Sequence, residues 1–181
     1  MSKYFITFFF LIIFPISLKA DDFFIAEPKR ISFFYYIGFL KMEGFLKISE
    51  NFFKINFEEP EKSEVFLTID VENSDAGFPL ATLIMKGKKV LDTQNYPLGY
   101  FESVKIKKYK NVFVILGNLT LRGRKKKAEI RIVLKNKNKN ILNFKIDGMF
   151  DRFDFGANGY ENIVGNIIYL KSEVKLIIKE S

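Results

Sequence analysis

The 181-residue sequence contains no cysteine and no histidine. Without cysteine, disulfide bonds, thiol nucleophiles and a lipoprotein modification are excluded. The same two absences remove Ser-His-Asp and Cys-His catalytic arrangements and the usual structural zinc sites. General acid or base chemistry would fall to carboxylates, lysine or tyrosine. The carboxylates at Asp147, Asp151 and Asp154 are typical of turn formers and arginine partners. We therefore predict no enzymatic activity, no catalytic residues, no metal site and no required cofactor.

Proline-rich stretches, repeats and interdomain linkers are also absent, and one apolar run stands out near the start. Lys3 precedes an almost unbroken apolar run over residues 4–18, and the small Ala20 is followed by an acidic pair. This pattern is typical of a signal peptide. The run is shorter than the roughly 20 residues that a membrane helix needs. We predict a signal peptide over residues 1–20, cleaved after Ala20, with retention as a membrane anchor as the alternative. The protein is then periplasmic or secreted, with a single domain over residues 21–181.

Alternation of apolar and polar residues predicts β-strands over most of the remaining chain. In the clearest case the apolar face carries Val65, Leu67, Ile69 and Val71. The predicted strands span residues 29–37, 43–49, 52–57, 64–72, 100–107, 112–121, 128–134, 141–150 and 163–179. Residues 49–51 predict a tight turn, and the polar run over 135–140 predicts a loop. Short, evenly spaced strands favour an all-β fold, either a sandwich or an antiparallel up-and-down barrel of about eight strands.

One segment departs from the strand pattern. Pro79 stands where a first helical turn favours proline, with Asp75 or Gly77 as the predicted cap and Gly87 as the predicted end. Apolar residues recur at helical spacing: Leu80, Leu83 and Ile84. We predict a short amphipathic helix that covers one mouth of the barrel. The alternative is a helix that only plugs the core.

The strongest family signal lies in the hairpin predicted over residues 111–134. Residues 117–123 resemble the G-(D/N)-L-T-(I/L)-x-G hairpin of the bacterial YceI-like family. Further segments resemble motifs of that family in the same order: residues 63–70, 90–97 with 101–103, 152–156, and 164–166 with 173–174. The resemblance spans residues 30–178. It implies a lipocalin-like antiparallel barrel, exported to the periplasm, whose lumen holds a polyisoprenoid or similar long amphiphile.

Phenylalanine is abundant, with 22 residues, most of them on or beside predicted strands. A barrel of about eight strands encloses a lumen that is either filled by side chains or holds one slender ligand. Burying a hydrocarbon tail there is worth roughly 0.8 kcal/mol per methylene-sized group before ordering costs are subtracted. By matching positions, the resemblance implies that ligand-lining residues are Phe33, Tyr35, Phe45, Leu83, Ile84, Phe101, Leu119, Phe150 and Phe155. The predicted ligand is a polyisoprenoid, an isoprenoid quinone or another long-chain lipid.

Two departures from the family pattern concern the ligand head. Tyr36 stands near a position where the family commonly has histidine, and residues 80–85 contain no arginine, aspartate or histidine where such groups are frequent. These differences leave the headgroup open and indicate a more apolar mouth.

A cluster of cations surrounds the hairpin turn: Arg122, Arg124, Lys125, Lys126 and Lys127. One interpretation is contact with an anionic membrane surface, or an envelope adaptor that uses this hairpin without a lumenal ligand. The other is a solvated hairpin tip that discourages edge aggregation. Nucleic-acid binding is not predicted for an exported chain, and a homodimer is left open.

Overall fold

Nine β-strands and one α-helix form most of the chain that the computed structural model describes, residues 21–26, 29–138 and 140–178. The strands are β1 (Asp21–Ile25), β2 (Arg30–Ile37), β3 (Leu40–Ile55), β4 (Glu64–Asp75), β5 (Leu98–Tyr109), β6 (Val112–Leu121), β7 (Arg124–Lys137), β8 (Ile141–Asp151) and β9 (Ile167–Ile178). The helix α1 (Pro79–Lys86) lies between β4 and β5. The predicted signal peptide lies outside the described residues.

The strands close into a barrel. Strands β2 to β9 pair antiparallel in chain order, and β2 pairs with β9 to complete the ring. The extra strand β1 pairs with both β3 and β9, so that Phe23 lies opposite Phe53 on one side and Ile178 on the other. The predicted antiparallel barrel of about eight strands with one short covering helix is confirmed.

The core lies inside the barrel, where alternate residues of each strand meet. On β4 the predicted apolar face is confirmed, since Val65, Leu67, Ile69 and Val71 are all buried. One end of the lumen is filled by aromatic rings. Phe113 packs edge-to-face against Phe57 and Phe144, with ring centroids 5.9 and 6.0 Å apart. These rings close the end that carries the β3–β4, β5–β6 and β7–β8 connections.

The opposite end, called the mouth here, carries the β2–β3, β4–β5, β6–β7 and β8–β9 connections, because successive antiparallel strands reverse direction. Helix α1 lies in the β4–β5 connection and ends at Gly87, as predicted. The predicted caps are wrong. The residue that caps the helix is Phe78, and the Asp75 carboxylate instead accepts a hydrogen bond of 2.6 Å from the Gly77 amide. No helix of the described ranges has the length and apolar character needed to cross a bilayer.

Two predicted breaks between strands are wholly or partly strand in the structure. The predicted turn over residues 49–51 lies inside β3, where the register with β4 shifts between Ile48 and Glu50 in a β-bulge. The predicted loop over residues 135–140 begins only after Lys137, at the end of β7. In both cases backbone pairing with a neighbouring strand outweighs the turn preference of polar residues. Strand β1 was not predicted from the sequence.

Candidate ligand-binding cavity

An apolar cavity of about 380 Å³ lies inside the mouth of the barrel. Its wall is formed almost entirely by carbon atoms from β2, β4, α1 and the β8–β9 connection. Strand β2 contributes Phe33, Tyr35 and Ile37, which alternate with outward residues as a strand dictates. Helix α1 contributes Ala81, Ile84 and Met85. A cavity with so few polar partners holds water poorly and suits hydrocarbon.

The cavity opens to solvent between α1 and the segment that joins β8 to β9. Three lining side chains are strongly exposed: Leu80 at 60%, Ile163 at 57% and Tyr160 at 45%. Residues that both line a cavity and face solvent mark its entrance. A ligand would therefore enter beside Leu80 and Ile163.

Arg152 holds the β8–β9 connection in place. Its side chain is buried, and its guanidinium donates hydrogen bonds to the carbonyl oxygens of Gly165 at 3.1 Å, Gly159 at 2.9 Å and Val164 at 2.9 Å. It also donates to the carbonyl of Ala157. Burial lowers the pKa of Arg152, while nearby carboxylates act in the opposite direction. The arginine thus positions the loop that forms one side of the entrance.

The basic hairpin also contributes to the mouth. Arg122 and Gly123 adopt φ of 48° and 69°, the left-handed conformation required by a two-residue type I′ turn. The guanidinium of Arg122 donates to the carbonyl of Gly156 and, at 2.9 Å, to that of Lys88. These two carbonyls belong to the two connections that flank the cavity. Arg122 therefore ties the wall together as well as carrying charge.

Two other cations of the hairpin form exposed ion pairs. Lys125 lies 3.6 Å from Glu102, and Lys126 lies 3.6 Å from Asp154. Exposed pairs of this kind contribute little to stability. The predicted role of Arg122, Arg124, Lys125, Lys126 and Lys127 as a surface contact stays a prediction.

The structure divides the predicted lining residues into four groups. Phe33, Tyr35, Ile84 and Phe150 lie on the wall of the main cavity. Phe101 and Leu119 line a smaller void of about 40 Å³, which shares Leu46, Leu121 and Phe150 with the main cavity and so lies directly beneath it. Phe155 is buried behind Phe150, edge-to-face at 5.6 Å. Phe45 and Leu83 lie outside the cavity wall: the Arg30 guanidinium lies 5.5 Å from the Phe45 ring centroid, and Leu83 is 70% exposed.

Sequence reasoning missed much of the entrance. Ala157 and Tyr160 lie in a connection without periodic apolar residues, so no pattern marks them as lining. Ile163 and Val164 also line the cavity, but the sequence predicts them as the start of the last strand, whereas β9 begins only at Ile167. The family-like segment 152–156 includes Arg152, but the resemblance does not predict that it holds the connection that follows. Its signal is a lone arginine immediately after an apolar strand and before a long, glycine-containing connection.

Without cysteine or histidine, the side chains that could hold a metal ion are chiefly carboxylates. Among residues 21–26, 29–138 and 140–178, no group of three or more carboxylates is placed to hold a metal ion. Asp151 accepts hydrogen bonds from the Phe153 amide at 2.9 Å and from the Asn166 side chain at 2.6 Å, which is a structural role.

Comparison with known proteins identifies the family. The model of the YceI-like domain matches residues 24–179, and the chain belongs to this family. A curated relative, UPF0312 protein plu2095 of Photorhabdus laumondii, is 26% identical over 88 residues, which cover 49% of this chain and 46% of that protein. The matching segment thus spans about half the length of that relative.

Solved structures share the fold. BcnA of Burkholderia cenocepacia aligns with a TM-score of 0.74 at 21% identity, covering 81% of this chain and 94% of that one. A YceI protein of Campylobacter jejuni aligns at 0.64 and 16% identity, covering 75% and 85%. A polyisoprenoid-binding domain from Saccharophagus degradans, implicated in plant cell wall breakdown, aligns at 0.65 and 8% identity, covering 88% and 99%. At these identities the alignments establish the barrel fold.

Proposed function

We propose that this YceI-like protein is exported and carries a long-chain hydrophobic molecule, a polyisoprenoid or isoprenoid quinone, without covalent chemistry. The observation that supports the proposal best is the open cavity of about 380 Å³ with an almost purely carbon wall. The family membership and the polyisoprenoid-binding domain among the structural neighbours favour the same class of ligand.

The size of the cavity limits how much of the ligand is enclosed. At roughly 30 Å³ per methylene-sized group, about the volume of a water molecule in the liquid, the cavity has room for on the order of a dozen carbons. A longer chain projects through the entrance beside Leu80 and Ile163, with its polar head in solvent. The carbon-lined wall suits this arrangement because it offers almost no hydrogen-bond partners to a buried polar headgroup.

The energetics favour binding of such a tail. A dozen methylene-sized groups at roughly 0.8 kcal/mol each contribute on the order of 10 kcal/mol of transfer free energy. Ordering costs of at least about 4 kcal/mol oppose this gain. The remainder of at most about 6 kcal/mol corresponds to a dissociation constant no tighter than tens of micromolar. Carbons beyond the main cavity add affinity only where they find further apolar contacts.

Extraction of the purified protein tests this function. The protein is purified without detergent, extracted with organic solvent and analysed by mass spectrometry. At a dissociation constant no tighter than tens of micromolar, part of the ligand dissociates during purification, so we expect a long-chain hydrophobe in the wild-type extract at less than one equivalent. Ala81→Phe, which fills the cavity from α1, should lose it. Val104→Phe, at a 69% exposed position on β5, should keep it. A wild-type extract without any hydrophobe, together with no uptake of an added isoprenoid alcohol, would rule out the carrier function.

A further inference from the structure

The mouth of the barrel carries exposed apolar side chains that the fold leaves uncovered. Phe39 and Leu40, at the β2–β3 turn, are 92% and 59% exposed. Leu80 and Leu83, one turn apart on α1, are 60% and 70% exposed, and Ile163 is 57% exposed. We call these five residues the apolar rim.

Hydrogen bonds bring the parts of this rim together. The Gly38 amide donates to the carbonyl of Ile163 at 2.9 Å, so the turn bearing Phe39 lies against the β8–β9 connection. Leu80 and Ile163 line the same cavity from opposite sides of its entrance. The rim therefore surrounds the entrance. An apolar surface concentrated at one end of a molecule marks an interaction site, whereas single exposed apolar residues do not.

Cations accompany the rim on the side of α1 and the basic hairpin. Lys88 and Lys89 follow Gly87 at the end of α1, and both are exposed. The carbonyl of Lys89 accepts a hydrogen bond of 2.8 Å from the Gly159 amide, and Arg122 donates to the carbonyl of Lys88. These contacts place both lysines beside the entrance. Within the described part of the chain, neither lysine side chain forms an ion pair.

The balance of charge around the entrance is positive. The cations on this side are Lys86, Lys88, Lys89, Arg122, Arg124 and Lys126. The carboxylates on or next to the connections at the mouth are Asp75, Asp92, Asp151, Asp154 and Glu161. Asp75 accepts a hydrogen bond from the Gly77 amide, and Asp151 accepts hydrogen bonds from the Phe153 amide and the Asn166 side chain. Of the other carboxylates, Asp154 pairs with Lys126, and Asp92 is buried and bonds to Asn95. Glu161 remains as the exposed acidic group of the β8–β9 connection.

We propose that the apolar rim and its lysines dock the mouth of the barrel onto an anionic phospholipid bilayer. Apolar tips that enter the boundary of the acyl chains, with lysines at the level of the headgroups, are the features of interfacial membrane binding. A second copy of the chain fits less well, because mouth-to-mouth pairing would bring two cationic surfaces together. The docked orientation points the cavity entrance at the source of long-chain lipids. In that respect the inference rests on the proposed carrier function, although docking itself needs no ligand.

Vesicle co-sedimentation tests the docking. The wild type should bind vesicles of phosphatidylcholine with phosphatidylglycerol, and bind less to phosphatidylcholine alone or at high salt. The double variant Phe39→Ser/Leu83→Ser should bind anionic vesicles at least about tenfold more weakly, as should Lys88→Glu/Lys89→Glu. Val104→Ser removes an apolar side chain of similar exposure away from the mouth and should bind as the wild type does.

Two results would overturn the docking surface. One is wild-type protein that stays in the supernatant with anionic vesicles. The other is rim variants that sediment as the wild type does. A dimer that dissociates in Phe39→Ser/Leu83→Ser without any vesicle binding would assign the rim to a second copy and would also overturn it. Ala81→Phe separates the two proposals, because a protein with a filled cavity should still dock. If Ala81→Phe loses the ligand and still sediments with anionic vesicles, both the carrier function and the docking surface are supported. If the wild type contains the ligand but does not sediment with the vesicles, the docking surface alone is wrong.

Discussion

The hydroxyl of Tyr35 donates a hydrogen bond of 2.9 Å to the carbonyl oxygen of Ala76, 41 residues away in the chain. Tyr35 lies on β2, and Ala76 follows β4 shortly before α1. Both residues line the cavity, so this bond joins the barrel wall to the connection that carries the helix. The helix is thereby held at the entrance and not only packed over it.

Replacing Tyr35 with phenylalanine tests this bond. Tyr35→Phe leaves the buried carbonyl of Ala76 without its donor, which costs about 1–3 kcal/mol of the free energy of unfolding. Urea denaturation monitored by circular dichroism measures the change. Tyr109→Phe is the matched control, because Tyr109 is 58% exposed and should change stability by less than about 0.5 kcal/mol. Equal stability of Tyr35→Phe and wild type would show that the bond is not needed to hold the helix.

The difference in stability between the wild type and Tyr35→Phe should depend on pH in the alkaline range. Burial, and secondarily the charge of Asp75, raise the pKa of Tyr35 above its ordinary value of 10.0. The stability that goes with this shift is fully present below pH 10.0 and is lost as the pH rises through the higher folded value. The stability advantage of the wild type over Tyr35→Phe should therefore be constant at neutral pH and shrink above pH 10.0. An advantage that stays constant into the alkaline range would contradict the shift.

Substituting the buried arginine tests the β8–β9 connection. Lysine cannot reproduce the fork of donors with which Arg152 bonds the carbonyls of Gly159, Val164 and Gly165. We expect Arg152→Lys to cost about 2–4 kcal/mol of stability and to speed amide hydrogen exchange over residues 156–166. Arg131→Lys, an exposed arginine paired with Glu129, is the control and should change neither. If amide hydrogen exchange over residues 156–166 is the same in Arg152→Lys and in the wild type, Arg152 does not position the β8–β9 connection.

Two glycines within strands should respond in opposite ways to alanine. A Cβ at Gly44 would lie 2.3 Å from the carbonyl oxygen of Asp75 and 2.7 Å from the ring of Phe33. Since the backbone of the next strand cannot move away cheaply, Gly44→Ala should destabilise the barrel by about 2–4 kcal/mol. A Cβ at Gly148 meets nothing closer than 3.4 Å, so Gly148→Ala should be neutral or stabilising by up to about 1 kcal/mol. The melting temperatures of both variants and of the wild type measure these effects. A Gly44→Ala variant as stable as the wild type would contradict the close approach of β4 to Gly44.

Much of the fold follows from local patterns. The alternation on β4 places Val65, Leu67, Ile69 and Val71 inside, because a strand with one covered face must repeat every two residues. Pro79 begins α1 as its fixed φ predicts, and α1 ends at Gly87 as predicted, although Gly87 has an extended conformation with φ of −64°. These features are local in the chain and need no knowledge of the partner strands.

The wrong predictions lie where pairing with a neighbouring strand determines which way a side chain points. In β3, Leu46 and Ile48 point inward at even positions, whereas Phe53 and Ile55 point inward at odd ones. The bulge after Ile48 causes this reversal. The resemblance to the family implies by position that Phe45 lines the lumen, but Phe45 faces outward beside Arg30. The polar residues over 49–51 predict a turn by their residue types, and sequence alone does not reveal the pairing with β4 that keeps them in a strand.

A calorimetric titration with isoprenoid alcohols of increasing length tests the carrier function most directly. Binding should be saturable at one ligand per protein and should strengthen by roughly 0.8 kcal/mol per added methylene-sized group. The gain should level off once on the order of a dozen carbons fill the cavity. Ala81→Phe should weaken every member of the series, while Val104→Phe should not. Affinity that ignores chain length, or that is the same in Ala81→Phe and wild type, would show that the cavity is not the binding site.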